Sequence, residues 1–522
     1  MWSSINKIRG TNNTKPNANY NNIDAHSLNK HFASTSTDNS YTKPPLKHTT
    51  ISNEHHLNSM TIYYLLTKHC PTGTGSDGLP PWYLQLIAPV ISKPLSTIYN
   101  KCINYSFFPT QWKSSIIHPI PKTKHPSSAS EFRPISITPI LSRLLEKFIM
   151  RQYIYPCFDH PSVKPDLMDQ FAFRPTGSPT AAITYLTTVV TSLLRTNSHV
   201  HLIALDFSKA FDTLNHFTLA NNLASLPLPD NIYNLLISFL SNRSHSTIHN
   251  NKLSSILPIN SSVVQGSVLG PSTFIINAST LKPKHQQNNI VKFADDTYLI
   301  IPSSNANTIQ SELDSLSTWA KLSNLSLNLN KSFELIVHNN HKPIIPPSEH
   351  PSIHRTDSLT ILGVTFTSTL NVSPHIENLL TKSFQTFYAL KTIRSHGLFG
   401  VRLHDITESL IISRLKYAAP SWSGFINQQQ LKQLQSLLNK LIRLNYLPIS
   451  YPPISTIFHT LDSRLFLKVT TNPHHVLHQI LPPKKKATHN LRQRKHNYDI
   501  PQYSTYQNKT FIPRHLNYIT SN

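Results

Sequence analysis

The chain has 522 residues, of which 39% are hydrophobic, so it is long enough for a sizeable core and roughly two to four domains. Lysine and arginine total 48 against 24 acidic residues, and the net charge of +24 favours a polyanionic partner, either nucleic acid or an anionic membrane surface. The three cysteines (Cys70, Cys102 and Cys157) show no CxxC spacing, which excludes a disulfide framework and a cysteine zinc site. The N-terminus lacks a signal peptide, and no apolar run approaches the ~20 residues that span a bilayer, so we expect a soluble, intracellular protein.

The two ends of the chain differ in composition from its middle. Residues 1–55 are rich in Asn, Ser, Thr, Lys and His and lack apolar periodicity, which predicts a disordered or linker segment. Order is expected to begin near Leu57, and from there helical and strand-like segments alternate to about residue 335. The segment from about residue 481 onward is basic and flanked by prolines, and it is predicted to be extended.

Hydrophobic spacing predicts several elements of secondary structure. Apolar residues recur at helical spacing over 141–149 and over 431–442. Three further runs are typical of strands: 199–205, which leads directly into Asp206; 290–301, which is predicted to be a hairpin; and 359–366.

Rare acidic residues interrupt these apolar strands. Asp295 and Asp296 stand together in the predicted hairpin, and Asp206 ends another strand. Adjacent carboxylates repel each other beside an apolar sheet, and a divalent cation would offset that repulsion. Three such carboxylates suit a pair of Mg²⁺ ions about 3.5–4 Å apart, an arrangement used for phosphoryl transfer. The alternative is that Asp295 and Asp296 are ordinary turn residues, which for an isolated Asp-Asp pair is the better reading.

The pair is not isolated, because sequence motifs occur in a recognisable order along the chain. They occupy residues 74–80, 108–122, 132–136 (FRPIS), 170–175 (QFAFRP), 205–212 (LDFSKAFD), 265–271 (QGSVLGP), 293–296 (FADD), 327–332 (LNLNKS) and 362–364 (LGV). Together they closely resemble the reverse transcriptases of non-LTR (LINE-type) retrotransposons, most of all the Jockey/CR1/L2-like group. Ala172 stands where many reverse transcriptases have glycine.

The resemblance implies an α+β right-hand polymerase with fingers, a palm built on an antiparallel sheet and a thumb, plus a mostly helical C-terminal region. We therefore expect an N-terminal fingers extension over 56–101, reverse transcriptase fingers and palm over 102–367, a helical thumb or connection over 368–480, and a basic C-terminal tail over 481–522.

The resemblance also implies RNA-directed DNA polymerase activity, in which a primer 3′-hydroxyl attacks the α-phosphorus of a dNTP. Two Mg²⁺ ions, with Mn²⁺ as the alternative, would be bound by Asp206 and Asp295, with Asp296 beside them and more dispensable. A backbone carbonyl of Leu205 or Phe207 would complete the metal site.

Nucleotide-binding roles follow from the same resemblance. Arg133, with Lys122 or Lys124, would contact the triphosphate, although a solvated basic loop is the alternative. Phe211 would pack beneath the sugar and exclude a 2′-hydroxyl, although its spacing alone favours a core aromatic residue.

Further site residues are predicted in three other segments. Gln265 and Gly266 would line the nucleotide pocket. Lys331 would protonate the leaving pyrophosphate, and an exposed lysine without a role is a nearly equal alternative. A basic cluster in the tail would bind nucleic-acid phosphates, and it comprises Lys484, Lys485, Lys486, Arg492 and Arg494.

The expected partners are template RNA, a DNA primer and dNTPs, with no membrane, in the cytoplasm and nucleus. About 70 residues precede the first motif, whereas relatives usually carry an upstream endonuclease, so we expect a truncated copy served by an endonuclease in trans. Two other functions stay open at this point: an element remnant that binds RNA without catalysis, and an RNA-templated RNA polymerase, against which Phe211 would argue.

Overall fold

The computed structural model describes residues 23–50, 56–68, 73–208, 211–339, 350–485, 496–499 and 501–521. The chain divides into two compact units, each assembled from separate stretches of sequence. The first unit comprises residues 1–167, 207–281 and 316–327, and the second comprises residues 168–206, 282–315 and 328–522. Helices and sheets occur in both, which confirms the mixed α and β content expected from the sequence.

The strands are short and fall into sheets that each lie within one unit. In chain order they are β1 (Ser114–Pro121), β2 (Phe132–Ile137), β3 (His199–Leu205), β4 (Phe207–Ser208), β5 (Arg243–His249), β6 (Lys252–Leu253), β7 (Leu257–Ile259), β8 (Asn289–Phe293), β9 (Asp296–Pro302), β10 (Ser326–Leu327), β11 (Phe333–His338), β12 (His354–Arg355), β13 (Ser358–Ile361) and β14 (Val364–Thr367).

The helices likewise occur throughout the chain. In chain order the α-helices are α1 (Ala25–Thr35), α2 (Ser59–Thr67), α3 (Pro81–Leu86), α4 (Ala88–Asn104), α5 (Ile140–Ile149), α6 (Tyr155–Phe158), α7 (Pro179–Leu193), α8 (His216–Ala224), α9 (Asp230–Leu240), α10 (Gly270–Asn277), α11 (Ile309–Leu322), α12 (Ser373–Ser395), α13 (Gly400–Thr407), α14 (Ser413–Lys416), α15 (Ala419–Trp422), α16 (Gln428–Arg443), α17 (Ile454–Thr471) and α18 (Phe511–Ser521). The helices predicted over 141–149 and 431–442 are confirmed by α5 and α16.

The first unit is built on a sheet with the order β2-β1-β5-β6, in which β7 also pairs with β5. Strand β1 runs antiparallel to β2 and parallel to β5. Helix α1 packs on this sheet, so the prediction of a disordered or linker segment over 1–55 is wrong for α1 and order begins well before Leu57. Leu28 and Phe32 lie one helical turn apart and bury against Ile117 and Phe132.

A buried amide anchors the same helix. Asn29 is 1% exposed, and its side-chain oxygen accepts hydrogen bonds from His245 Nδ1 at 2.8 Å and from the Thr247 hydroxyl at 2.9 Å. Its amide nitrogen donates to the Ser255 carbonyl at 2.9 Å. Composition could not reveal this segment as ordered, because all these partners lie more than 200 residues away in the chain. Residues 1–22 and 51–55 lie outside the described residues.

The second unit is built on a sheet with the order β12-β11-β3-β9-β8. Strand β3 is central and antiparallel to both β9 and β11, and β8 and β9 form the predicted hairpin. Buried apolar residues of β3, β9 and β11 join those of α7, α16 and α17 in one core.

Two expectations for the second unit are corrected. The run 359–366 is a hairpin and not one strand, because Leu362 and Gly363 both adopt positive φ (46° and 87°) and turn the chain between β13 and β14. The extended conformation predicted beyond residue 481 is wrong for α18, whose buried residues Phe511, Ile512 and Leu516 pack beside α17. Arg514 in α18 also forms an ion pair with the buried Asp462 at 2.9 Å.

In the described part of the chain, no helix combines the length and the hydropathy that crossing a membrane requires.

Candidate active site

The ends of two neighbouring strands bring the predicted catalytic acids to one edge of the second unit's sheet. Leu205 and Thr297 are the last paired residues of β3 and β9 at this edge. Asp206 follows Leu205 in the sequence and Asp296 precedes Thr297, so both acids lie just beyond this pair. Asp295 occupies the two-residue turn of the β8–β9 hairpin, whose last pair is Phe293 with Asp296. Three acids separated by up to 90 residues in the chain therefore meet at one sheet edge.

These acids interact electrostatically. The pKa of Asp296 is raised to about 6, chiefly because the surrounding protein removes part of its hydration, and further because Asp295 and Asp206 repel its charged form. The Asp296 side chain still reaches solvent. A cation bound between these carboxylates would stabilise their charged forms.

The donor set suits Mg²⁺ without forming a finished cage. Carboxylate oxygens are the ligands that Mg²⁺ prefers, and it usually takes one or two of them together with substrate phosphates and water. Among the described residues, no three His, Cys, Asp or Glu side chains lie close enough together to hold one ion.

Backbone contacts hold Asp206 from the side opposite β9. Its carbonyl accepts the N–H of Asn328 at 2.8 Å, and its own N–H donates to the Ser332 hydroxyl at 3.3 Å. The Ser332 hydroxyl in turn donates to the Asn328 carbonyl at 2.9 Å. The predicted motif at 327–332 thus includes residues that fix the backbone of the catalytic acid. Lys331 is exposed in a 3₁₀ turn of this segment, and its role as a general acid stays a prediction.

In the first unit, side chains of the predicted nucleotide pocket contact one another. The ring of Phe211 stacks on Phe274 with centroids 4.4 Å apart and an interplanar angle of 23°. Gln265 donates through its side-chain nitrogen to Asp212 at 2.7 Å, while its carbonyl accepts the N–H of Ser136 at 2.8 Å. Three motifs that are distant in sequence therefore join here.

Gly266 occupies a position that no other residue fits. Its φ is +113°, and a Cβ atom built there would lie 2.1 Å from the carbonyl oxygen of Ser136. Glycine is therefore required both by the backbone conformation and by the close approach of the FRPIS strand β2.

The predicted triphosphate contacts lie on the surface of the first unit. Lys122 is exposed, and its amine donates to the Ser130 carbonyl at 2.9 Å. Arg133 is exposed on β2, opposite Ile120 of β1. Phe207 is buried edge-on against Trp319, with ring centroids 5.9 Å apart. The proposed contact between its carbonyl and a metal ion stays a prediction.

The predicted basic cluster is described only in part. Lys484 forms an isolated antiparallel bridge with Tyr498, and Lys485 forms an ion pair with Asp499 at 3.4 Å. Lys486, Arg492 and Arg494 lie outside the described residues.

Glu146 is a residue of the candidate site that sequence reasoning missed. It is fully buried in α5, and one carboxylate oxygen accepts the N–H groups of Val268 and Leu269 at 2.7 and 3.1 Å. Its other oxygen accepts the Ser142 hydroxyl at 2.7 Å. The carboxylate therefore holds the loop that leads from Gly266 into α10. The available signal was an acid within the apolar face of a predicted helix, since a buried acid requires partners.

Comparison with known proteins places these motifs in a family. Residues 120–366 match the family described as reverse transcriptase (RNA-dependent DNA polymerase). The matched segment includes Asp206, Asp295 and Asp296.

The curated proteins that this chain resembles include RNA-directed DNA polymerases of non-LTR retrotransposons, as the sequence motifs predicted. The chain is 28% identical over 387 residues to the RNA-directed DNA polymerase from mobile element jockey of Drosophila melanogaster, covering 71% of this chain and 41% of the relative. It is 25% identical over 366 residues to the probable RNA-directed DNA polymerase from transposon X-element of the same species, covering 67% and 39%. The chain spans about two fifths of the length of these curated relatives.

Solved structures offer a weaker likeness. Apo telomerase from Candida tropicalis is 14% identical, with a TM-score of 0.39 over 74% of this chain and 67% of that one.

Proposed function

We propose that this chain is the RNA-directed DNA polymerase region of a non-LTR retrotransposon and that it transfers nucleotides from dNTPs to a primer 3′-hydroxyl. The observation that supports this most directly is the meeting of Asp206, Asp295 and Asp296 at one sheet edge inside a reverse transcriptase domain. Burial, and then repulsion from Asp295 and Asp206, raise the pKa of Asp296, and a bound cation would offset that repulsion.

The proposed metal ligands are Asp206 and Asp295, with Asp296 beside them and the carbonyl of Phe207 as a further donor. Divalent metal ions are general to this family. We assign two Mg²⁺ ions, with Mn²⁺ as the alternative, because they would lower the pKa of the attacking hydroxyl and neutralise developing charge. The chain would hold the carboxylates of Asp206, Asp295 and Asp296 at the adjacent ends of β3 and the β8–β9 hairpin. This placement would restrict the motion of the carboxylates before the substrate binds.

The other residues would bind and orient the nucleotide. Arg133 and Lys122 would contact the triphosphate, and Gln265 and Gly266 would line the pocket. Phe211 is held by its stack on Phe274, so its ring could resist displacement by a 2′-hydroxyl.

Basic side chains in two other segments also have proposed roles. Lys331 is exposed, and its amine would donate a proton to the leaving pyrophosphate. Lys484 and Lys485, with the basic residues that follow them in sequence, would bind nucleic-acid backbone in a salt-dependent manner.

The proposed architecture is a right-hand polymerase. We assign the fingers extension to 56–101, the fingers and palm to 102–367, and a helical thumb or connection to 368–480. The antiparallel sheet of β3, β8, β9 and β11 suits a palm, and the helices that follow β14 suit a thumb.

The proposed partners are template RNA, a DNA primer and dNTPs, and a net charge of +24 agrees with polyanionic ligands. Localisation to the cytoplasm and nucleus and an endonuclease supplied in trans rest on the resemblance and stay predictions. A remnant that binds RNA without catalysis is not favoured, because the three acids are intact and positioned together.

The test is primer extension. Purified chain should extend oligo(dT) on poly(rA) with dTTP and Mg²⁺, and Asp295→Ala should reduce extension by about 10³-fold or more because a metal ligand is lost. Asp405→Ala, which removes an exposed acid from α13 of the same unit, is the matched control and should extend normally. Equal thermal unfolding of the two variants would establish that the fold is intact. Full extension by Asp295→Ala would remove this acid from the mechanism, and RNA binding without any extension by the wild type would favour the remnant.

A further inference from the structure

A short segment outside the hairpin runs alongside the strand that carries the catalytic turn. The N–H of Lys292 in β8 donates to the Asp169 carbonyl at 2.8 Å, and the N–H of Phe171 donates to the Lys292 carbonyl at 2.9 Å. Gln170 thereby forms a parallel bridge with Lys292. We call residues 169–171 the strap, and the strap and the hairpin belong to the same compact unit.

Charges reinforce the strap. The Lys292 side chain is completely buried, with its amine 3.1 Å from one carboxylate oxygen of Asp169. The amine of Lys282 lies 2.8 Å from the other oxygen. A buried lysine requires a partner. The ion pair between Lys292 and Asp169 therefore attaches the strap to β8 in addition to the backbone hydrogen bonds.

The side chain of Gln170 extends from the strap to the catalytic turn. It is fully buried, and its amide oxygen accepts the N–H of Ala294 at 3.2 Å and that of Ala172 at 3.0 Å. Ala294 is the first residue of the turn, directly before Asp295 and Asp296. The buried amide oxygen of Gln170 is therefore a hydrogen-bond acceptor for the backbone N–H of Ala294, the first residue of the turn.

The turn needs such support because its backbone is strained. Ala294 has a φ of +58°, a region that glycine adopts freely and alanine does not. Two-residue hairpin turns of this kind normally place glycine at the first central position. The strain is retained only if neighbouring groups hold the turn in place.

The chemistry of the side chain also fits this role. Within the described residues, the amide nitrogen of Gln170 is buried and has no hydrogen-bond acceptor, so the side chain acts through its oxygen. A glutamate would offer the same oxygen but would add a fourth negative charge behind Asp206, Asp295 and Asp296. A neutral acceptor is therefore the group that supports the turn without increasing the repulsion.

We propose that Gln170 is a positioning residue for the metal-binding acids: its amide oxygen holds Ala294 in the left-handed conformation and so sets the direction in which Asp295 and Asp296 leave the turn. This inference rests on the proposed function, since it assigns Gln170 to the same metal site.

The test compares metal affinity with stability. Gln170→Met keeps the volume of the side chain and removes the acceptor, so the dissociation constant for Mn²⁺, measured by paramagnetic resonance on the complex with primer and template, should rise about 10-fold or more. The Mg²⁺ concentration for half-maximal extension should rise by a similar factor, while KM for dTTP changes little. Thr191→Val is the matched control, because it removes a buried side-chain hydrogen bond in α7 of the same unit. It should change thermal stability without changing Mn²⁺ affinity.

A second substitution separates positioning from simple packing. Ala294→Gly relieves the strain at the turn, so the loss of Mn²⁺ affinity caused by Gln170→Met should become smaller in the Ala294→Gly background. If Gln170→Met does not fold, Gln170→Asn carries the test, since it keeps the amide and withdraws the oxygen by one methylene. Unchanged Mn²⁺ affinity in the folded Gln170 variants, or an equal loss in both backgrounds, would overturn the proposal. A wild-type chain without Asp295-dependent Mn²⁺ binding would instead overturn the proposed function.

Discussion

Gln265 donates its side-chain amide to the carboxylate of Asp212 at 2.7 Å, across 53 residues of sequence. This bond joins the motif that contains Asp206 to the motif that precedes α10. Because the Gln265 carbonyl also accepts the N–H of Ser136, a single residue connects three motifs of the proposed nucleotide pocket.

Replacing Gln265 should therefore weaken nucleotide binding. Gln265→Leu keeps a similar volume but leaves the Asp212 carboxylate without this donor, so we expect KM for dTTP to rise about tenfold, the loss typical of a hydrogen bond to a charged group. Steady-state kinetics on poly(rA) with oligo(dT) measure the effect. Gln433→Leu, on the exposed side of α16, is the control, and a KM unchanged in both variants would contradict the assignment of Gln265 to the pocket.

Phe211 should determine the choice between deoxyribonucleotides and ribonucleotides. Phe211→Ala removes the ring stacked on Phe274, and ribonucleotide incorporation relative to dNTP incorporation should rise about tenfold or more. Phe274→Leu removes the stack and keeps Phe211, so its effect on selectivity should be smaller. Competition between UTP and dTTP measures both, and selectivity insensitive to Phe211→Ala would reject this residue as the sugar gate.

Gly266 should tolerate no side chain. In Gly266→Ala the new Cβ would collide with the Ser136 carbonyl, and the resulting displacement of the loop should reduce extension by about 100-fold, as misplacements near 1 Å can do. Gly397→Ala is the matched control, because Gly397 also has a positive φ of 91° but a Cβ there meets nothing within 4 Å. Near-normal extension by Gly266→Ala, measured beside that control, would show that the loop adapts without cost.

His245 should make the attachment of α1 sensitive to acid. Burial lowers the pKa of His245 from its ordinary 6.5 to about 4, and its Nδ1 donates to Asn29. Between pH 6.5 and 4 the unfolded chain takes up a proton that the native state does not, so this residue lowers the free energy of unfolding by roughly 1.4 kcal/mol per pH unit as pH falls. Above pH 6.5 it has no such effect.

Hydrogen exchange of β5 at pH 4.5–7.5 measures that dependence. His245→Gln retains a donor for Asn29 and removes the titration, so its stability should fall less steeply toward acid than that of the wild type. Parallel pH profiles for the two proteins would refute the assignment.

Local patterns in the sequence were sufficient for several elements of both units. Strand β3, the β8–β9 hairpin and helices α5 and α16 all follow from the periodic placement of apolar residues, which is a property of neighbouring positions. The ordered motifs also indicated the family that residues 120–366 match, because the motif residues and their order are visible without coordinates.

Other features depend on partners that are remote in the chain. The buried side chain of Asn29 is stabilised by hydrogen bonds from His245 and Thr247. Helix α18 is ordered because α17 covers its apolar residues. Composition assigned both segments to flexible or extended chain, since neither has enough apolar surface of its own to offset the loss of conformational entropy.

The sequence by itself determined which residues belong to the proposed chemistry: Asp206, Asp295 and Asp296 are recognisable from their motifs. Only the tertiary structure decided how they are held, through the contact of Gln170 with Ala294 across 124 residues and that of Asp206 with Ser332 across 126. The physical reason is that a strained turn and a row of repelling carboxylates are stable only when buried hydrogen bonds from distant segments fix them, and such bonds leave no periodic signal in the sequence.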